Sequence, residues 1–112
     1  MSYYEPDGYE VLKIKVCGQD NITVKVFGSW SGGYLGRDTW RVNSGVVYIK
    51  DQGNNYLVEG YSGSQYILSK AVNYITAYNK GVLEDMIEEL RSYGHQAEII
   101  SIEDAITLIR GH

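Results

Sequence analysis

Hydrophobic and polar positions alternate with period two over the first two-thirds of the chain and switch to a helical period near Ser69. In EVLKIKVCG, Leu12, Ile14 and Val16 alternate with Lys13, Lys15 and Cys17, the pattern of a strand with one buried face. The turn residues Gly18, Gln19, Asp20 and Asn21 lead into NITVKVF, where Ile22, Val24 and Val26 alternate with Thr23, Lys25 and Phe27. Two such runs around a short Gly/Asp/Asn turn predict a hairpin. TWRV, then Asn43-Ser44-Gly45, then VVYIK predicts a second hairpin, and Asp51-Gln52-Gly53-Asn54-Asn55 turns the chain into YLVEGY. SQYIL supplies one further short strand.

From Ser69 onward the spacing changes. Ala71, Tyr74, Ile75 and Tyr78 fall on one helical face, with Ser69 as the predicted N-cap and Asn79-Lys80-Gly81 as a break. Leu83, Met86, Ile87 and Leu90 repeat the stripe, and Gly94 stands where a glycine ends a helix. QAEIIS reads as a short late strand. Ser101 precedes Asp104 by three, close to a capping box, ahead of the apolar stripe Ile102, Ala105, Ile106 and Ile109. Strands followed by helices predict a single α+β domain over residues 1–112. Its antiparallel β-meander has about five to six strands, followed by two to three helices packed on one face, with a short late strand.

Charge divides the chain. Residues 1–80 carry eight Lys/Arg against seven Asp/Glu, whereas residues 81–112 carry two against seven, so the net charge of −4 resides in the helical part. Glu84, Asp85, Glu88 and Glu89 lie opposite the apolar stripe of their helix, as a solvated negative face. An acidic balance disfavours general nucleic-acid binding and suits docking onto a basic protein surface. The best case for nucleic acid is Lys13, Lys15 and Lys25, expected together on the outward face of the first hairpin. The simpler role for these lysines is to keep a sheet surface soluble.

Motifs for chemistry are tested and fail. In FGSWSGGYLGRDTW, Gly28 and Gly33 have phosphate-loop spacing, but Tyr34 and Leu35 stand where Lys and Ser/Thr are required. Gly32, Gly33 and Gly36 miss the dinucleotide spacing, and no helical pattern follows. GSWSG has Trp30 where a nucleophile elbow needs Ser. Cys17 reads as an ordinary strand residue, unpaired with His95 or His112. No clustered ligands for zinc or calcium are present. The expectation is a non-enzymatic protein with no cofactor and no metal. A lone cysteine, the absence of a signal-peptide pattern in MSYYEPDGYE and the lack of any apolar run of membrane-spanning length point to a cytoplasmic protein with no membrane partner.

What remains is composition. Eleven tyrosines and two tryptophans sit among Gly, Ser and Asn at predicted strand ends, the chemistry of recognition loops. Trp30-Ser31-Gly32 with Tyr34, and Tyr61-Ser62-Gly63 with Tyr66, echo one another. If their strands are neighbours, both turns lie at one end of a sheet and form an aromatic rim. The candidate partner-binding residues are therefore Trp30, Tyr34, Arg37, Tyr61 and Tyr66, with Glu84, Asp85, Glu88 and Glu89 as an electrostatic surface. The alternative for Trp30 and Trp40 is a place in the core. The expected function is protein binding by surface occlusion, of the kind phages and mobile elements use against host nucleases or defence systems, with self-association through the Tyr-rich sheet as a further expectation. A single-stranded nucleic-acid or small-ligand binder using the same rim is the alternative.

Overall fold

Strand β3 (Ile22–Trp30) lies at the centre of the computed structural model, which describes residues 3–32 and 38–110. Hydrogen bonding to β2 (Gly8–Lys15) and β4 (Thr39–Val42) on either side, and of β2 to β8 (Gln96–Ile100), gives a four-stranded antiparallel sheet of order β4-β3-β2-β8. A second four-stranded sheet has the order β1-β7-β6-β5, from β1 (Tyr3–Tyr4), β5 (Val46–Asp51), β6 (Asn55–Gly60) and β7 (Gln65–Ser69). Among the described residues only the β1–β7 pair is parallel. The described residues also form two helices, α1 (Ala77–Ser92) and α2 (Ile102–Arg110).

The α+β class agrees with the hydrophobic pattern, but the layering does not. Eight strands form two sheets where one meander of five to six was expected. Val11, Val24 and Val26 from the first sheet meet Val46, Ile49, Tyr56, Val58, Tyr66 and Leu68 from the second, with Ile102 and Ala105 of α2 in the same core. On its other face the first sheet buries Leu12, Ile14, Phe27 and Ala97 against Leu83 and Ile87 of α1. The two helices thus serve different layers instead of covering one face. Two apolar faces on the sheet β4-β3-β2-β8 are the cause: β2 sends Val11 one way and Leu12 the other.

The second predicted hairpin is a crossing between sheets. β4 pairs with β3, and β5 with β6. Asn43 decides this, because its Oδ1 accepts the Val26 N–H at 2.8 Å while its own N–H donates to the Val26 carbonyl at 3.1 Å. Those bonds tie the turn to β3. Gly45 follows at φ 148°, where an added Cβ would stand 2.6 Å from the Tyr61 ring. Other expectations hold: Asp51 Oδ1 accepts the Gly53 N–H in the β5–β6 turn, β7 and β8 lie where their patterns place them, and Ser101 Oγ accepts the Asp104 N–H at the start of α2.

The helix expected from Ser69 begins at Ala77. Ser69 Oγ accepts the N–H groups of Ala71 and Val72, turning the chain instead of capping a helix. The Tyr74 N–H then bonds the Asp7 carbonyl, and Asn73 Oδ1 takes the Tyr9 N–H at 2.7 Å. Residues 70–76 form a strap along the part of β2 that β8 does not reach. Gly8 is required there, since its Cβ would lie 2.0 Å from the Tyr74 carbonyl oxygen. Thr76 is the true N-cap, accepting from the Asn79 N–H. Asn79-Lys80-Gly81 is the interior of the first turns and not a break. The C-terminus follows the expected pattern: Gly94 at φ 88° lets its own N–H reach Arg91 O and that of His95 reach Leu90 O.

Candidate functional site

The aromatic rim divides when it is placed on this fold. Tyr34 and Arg37 lie outside the described residues. Trp30 ends β3, half-buried, with its indole N–H donating to the Glu5 carbonyl at 3.0 Å and its ring edge-on to Tyr4 at 6.2 Å. Tyr66 is fully buried, 0% exposed, between Tyr4 and the core. Burial raises its phenol pKa against the opposing charge of Arg41, whose guanidinium sits 4.6 Å over the Tyr4 ring. Tyr66 is a core residue and offers no surface to a partner. Tyr61 is 71% exposed, but its ring packs by Gly45 and borders a cleft lined by Ile22 and Thr23 at the start of β3. Trp30 and Tyr61 therefore stand at opposite ends of β3, a strand about 26 Å long at ~3.3 Å per residue. The echoed turns belong to strands of different sheets and form no common rim. Trp40 stacks on buried Phe27 at 5.7 Å and stays partly exposed.

The lysine cluster also separates. In the β2–β3 register Lys13 faces Val24 and Lys25 faces Leu12. Paired residue numbers sum to an odd value, so residues of like parity on the two strands take opposite faces. Lys25 thus lies on the α1 side with Leu12, and Lys13 and Lys15 on the other. Lys13 is held by Glu98 of β8 at 2.8 Å, which keeps the Glu98 carboxyl below its ordinary pKa. Cys17 is not within a strand: it is exposed beyond the end of β2, and its backbone N–H donates to His95 Nδ1 at 2.9 Å.

The acidic face survives as drawn. Glu84, Asp85, Glu88 and Glu89 are all exposed on α1, opposite Leu83 and Ile87. The two ion pairs among the described residues are Lys13–Glu98 and Lys70–Asp51, so none of the four takes part in one. Along its β8 side this face meets a groove of about 410 Å³ lined by Glu10, Tyr74, Ile75, Lys80, Leu83, Glu84 and Ile99. Tyr74 is 60% exposed and Ile99 46%. Burial pushes the Glu10 carboxyl above its ordinary pKa, with Lys80 pulling the other way.

The sequence pattern misses this groove because Tyr74 has the spacing of a buried stripe in a helix that does not form there, and Ile99 lies in a short strand whose outer edge is open. Glu10 carried no signal beyond being an acidic residue in a strand. A second cluster of titratable groups lines a cleft of about 400 Å³ that includes Tyr9, Tyr56, Lys70 and Glu103. Burial raises the Tyr9 phenol, with Tyr56, Glu103 and Glu10 adding to it and Lys70 opposing, and the hydrogen bond with Asp51 raises Lys70. Lys70 Nζ is already committed to Asp51 at 2.7 Å and to the Tyr56 ring at 4.7 Å.

No helix among the described residues is long and apolar enough to cross a membrane. No protein-family model matches the sequence, and comparison with curated proteins and with solved structures gives no match either.

Proposed function

We propose that the protein is a non-enzymatic binding module that covers a basic surface of a partner protein with the outer face of α1. The carrying observation is that four adjacent carboxylates are exposed and outside both ion pairs, while the same face ends in a groove walled by exposed Tyr74 and Ile99. Unpaired like charges on one helix repel one another, a cost that a cationic partner relieves. Charge of this kind supplies encounter rate and specificity. Affinity comes from aromatic and aliphatic anchors, which Tyr74 and Ile99 provide. A nuclease or another nucleic-acid-handling enzyme presents the cationic cleft that fits, and occlusion by a phage- or mobile-element-borne inhibitor is the role such binding would serve.

The test is co-purification from lysate with the wild-type chain, with a Glu84→Gln, Asp85→Asn, Glu88→Gln, Glu89→Gln variant, and with Tyr74→Ala. The expected result is a basic protein retained at low salt by the wild type, lost by the quadruple variant and weakened about tenfold or more by Tyr74→Ala, as an interface anchor. A partner held equally by the quadruple variant overturns the assignment.

A further inference from the structure

The C-terminal end of α1 gathers cations in a chain that is acidic overall. A depression of about 320 Å³ is lined by Lys13, Lys15, Arg91, His95, Gln96, Ala97 and Glu98, where β2, β8 and the α1 end meet. Three fixed positive charges face the single carboxylate of Glu98, which Lys13 already neutralises at 2.8 Å. The other donors are set by their neighbours. Arg91 Nε donates to the Ala97 carbonyl at 2.9 Å, fixing the guanidinium and leaving its terminal N–H groups free of that bond. His95 Nδ1 accepts the Cys17 N–H at 2.9 Å, so in the neutral ring the proton sits on Nε2, which becomes a donor. Lys15 takes part in neither ion pair of the described residues.

The carbonyl end of a helix ordinarily repels an anion. Here those carbonyls are occupied: Leu90 O accepts from Tyr93 and His95, Arg91 O from Gly94, and Glu89 O from Tyr93 and from Ser92 Oγ. The opposition of the helix end is thereby reduced where the cations gather.

We propose that this depression binds one phosphate group, with Lys15, the Arg91 guanidinium and the His95 Nε2–H as its donors and the Lys13–Glu98 pair as its wall. Charged, hydrogen-bonding donors lining one depression suit a phosphate oxyanion, and Arg supplies the planar fork that matches two of its oxygens. The phosphate can be a free one or part of a phosphodiester chain. The site does not depend on the acidic face having a protein partner.

The test is titration of inorganic phosphate into the ¹⁵N-labelled full chain at constant ionic strength, observed by backbone amide shifts. Saturable shifts confined to Lys15, His95, Gln96 and Ala97 are expected, with affinity lowered at least tenfold in a Lys15→Gln/Arg91→Gln variant. Lys15→Gln alone, which touches no structural bond, keeps the comparison valid if the double variant unfolds. Shifts that do not saturate, that spread over the surface, or that persist unchanged in the folded variants overturn the site. Adding an oligothymidylate ten-mer identifies the source: displacement of phosphate from these amides supports a phosphodiester ligand, and no displacement supports a free phosphate group.

Discussion

Asn79 joins three elements through one amide. It is fully buried in the first turn of α1, and its Nδ2 donates to Ser29 Oγ and to the Thr39 carbonyl, both at 2.8 Å, so α1 is tied to β3 and β4. Asn79→Ala removes both bonds and leaves the buried Ser29 hydroxyl without this partner, and should destabilise the protein by about 1–3 kcal/mol in urea titrations. In sequence, Asn79 stands beside Lys80 and Gly81 and looks like a helix breaker. Nothing local shows that its amide has distant acceptors. Glu10 gives a second residue-scale expectation. Burial raises its folded pKa above the ordinary 4.5. Its contribution to stability is therefore fully present below the unfolded value and lost as pH rises through the raised folded one. Glu10→Gln should raise the thermal midpoint at neutral pH, with the gain over wild type shrinking toward zero near about pH 4. A gain that grows on acidification would contradict the burial of this carboxyl.

At the scale of elements, periodicity succeeded where one face of an element meets one layer. β7, α2 and the second half of α1 have the spacing their burial requires, and the Ser101 and Gly94 caps are where local chemistry places them. It failed at residues 70–76, where an apolar spacing of Ala71, Tyr74 and Ile75 mimics a helix. The segment is instead held by Asp7 and Tyr9, more than sixty positions away, and such partners leave no trace in a local window. The extended α1 can be tested at Gly81. This residue lies inside the helix with a negative φ, and nothing stands within 4 Å of an added Cβ. Gly81→Ala should stabilise the protein by about 0.5–1 kcal/mol, as in any open helix interior. No gain in thermal or urea unfolding would favour a break there. Thr76→Ala should cost about 1 kcal/mol through loss of the N-cap.

For the whole molecule, the sheet β4-β3-β2-β8 serves two cores at once, one shared with the second sheet and α2, the other with α1. Loss of packing on either side reaches β2, so unfolding should be one transition. Leu12→Ala, on the α1 side, should lower stability by about 2–5 kcal/mol, with far-UV circular dichroism and tryptophan fluorescence giving the same midpoint. Separate midpoints would show that the layers melt independently. By itself the sequence determined the α+β class, most strands, the capping of α2, the end of α1 and its acidic outer face, because each depends on residues within a turn or two of one another. Tertiary structure decided which strands share a sheet, which face each lysine takes, that Tyr66 is core, that Trp30 and Tyr61 stand at opposite ends of β3, and that Lys15, Arg91 and His95 line one depression. Those outcomes follow from register and from long-range bonds such as Asn43 to Val26, and the energy of pairing distant strands is not written in the local pattern of either one.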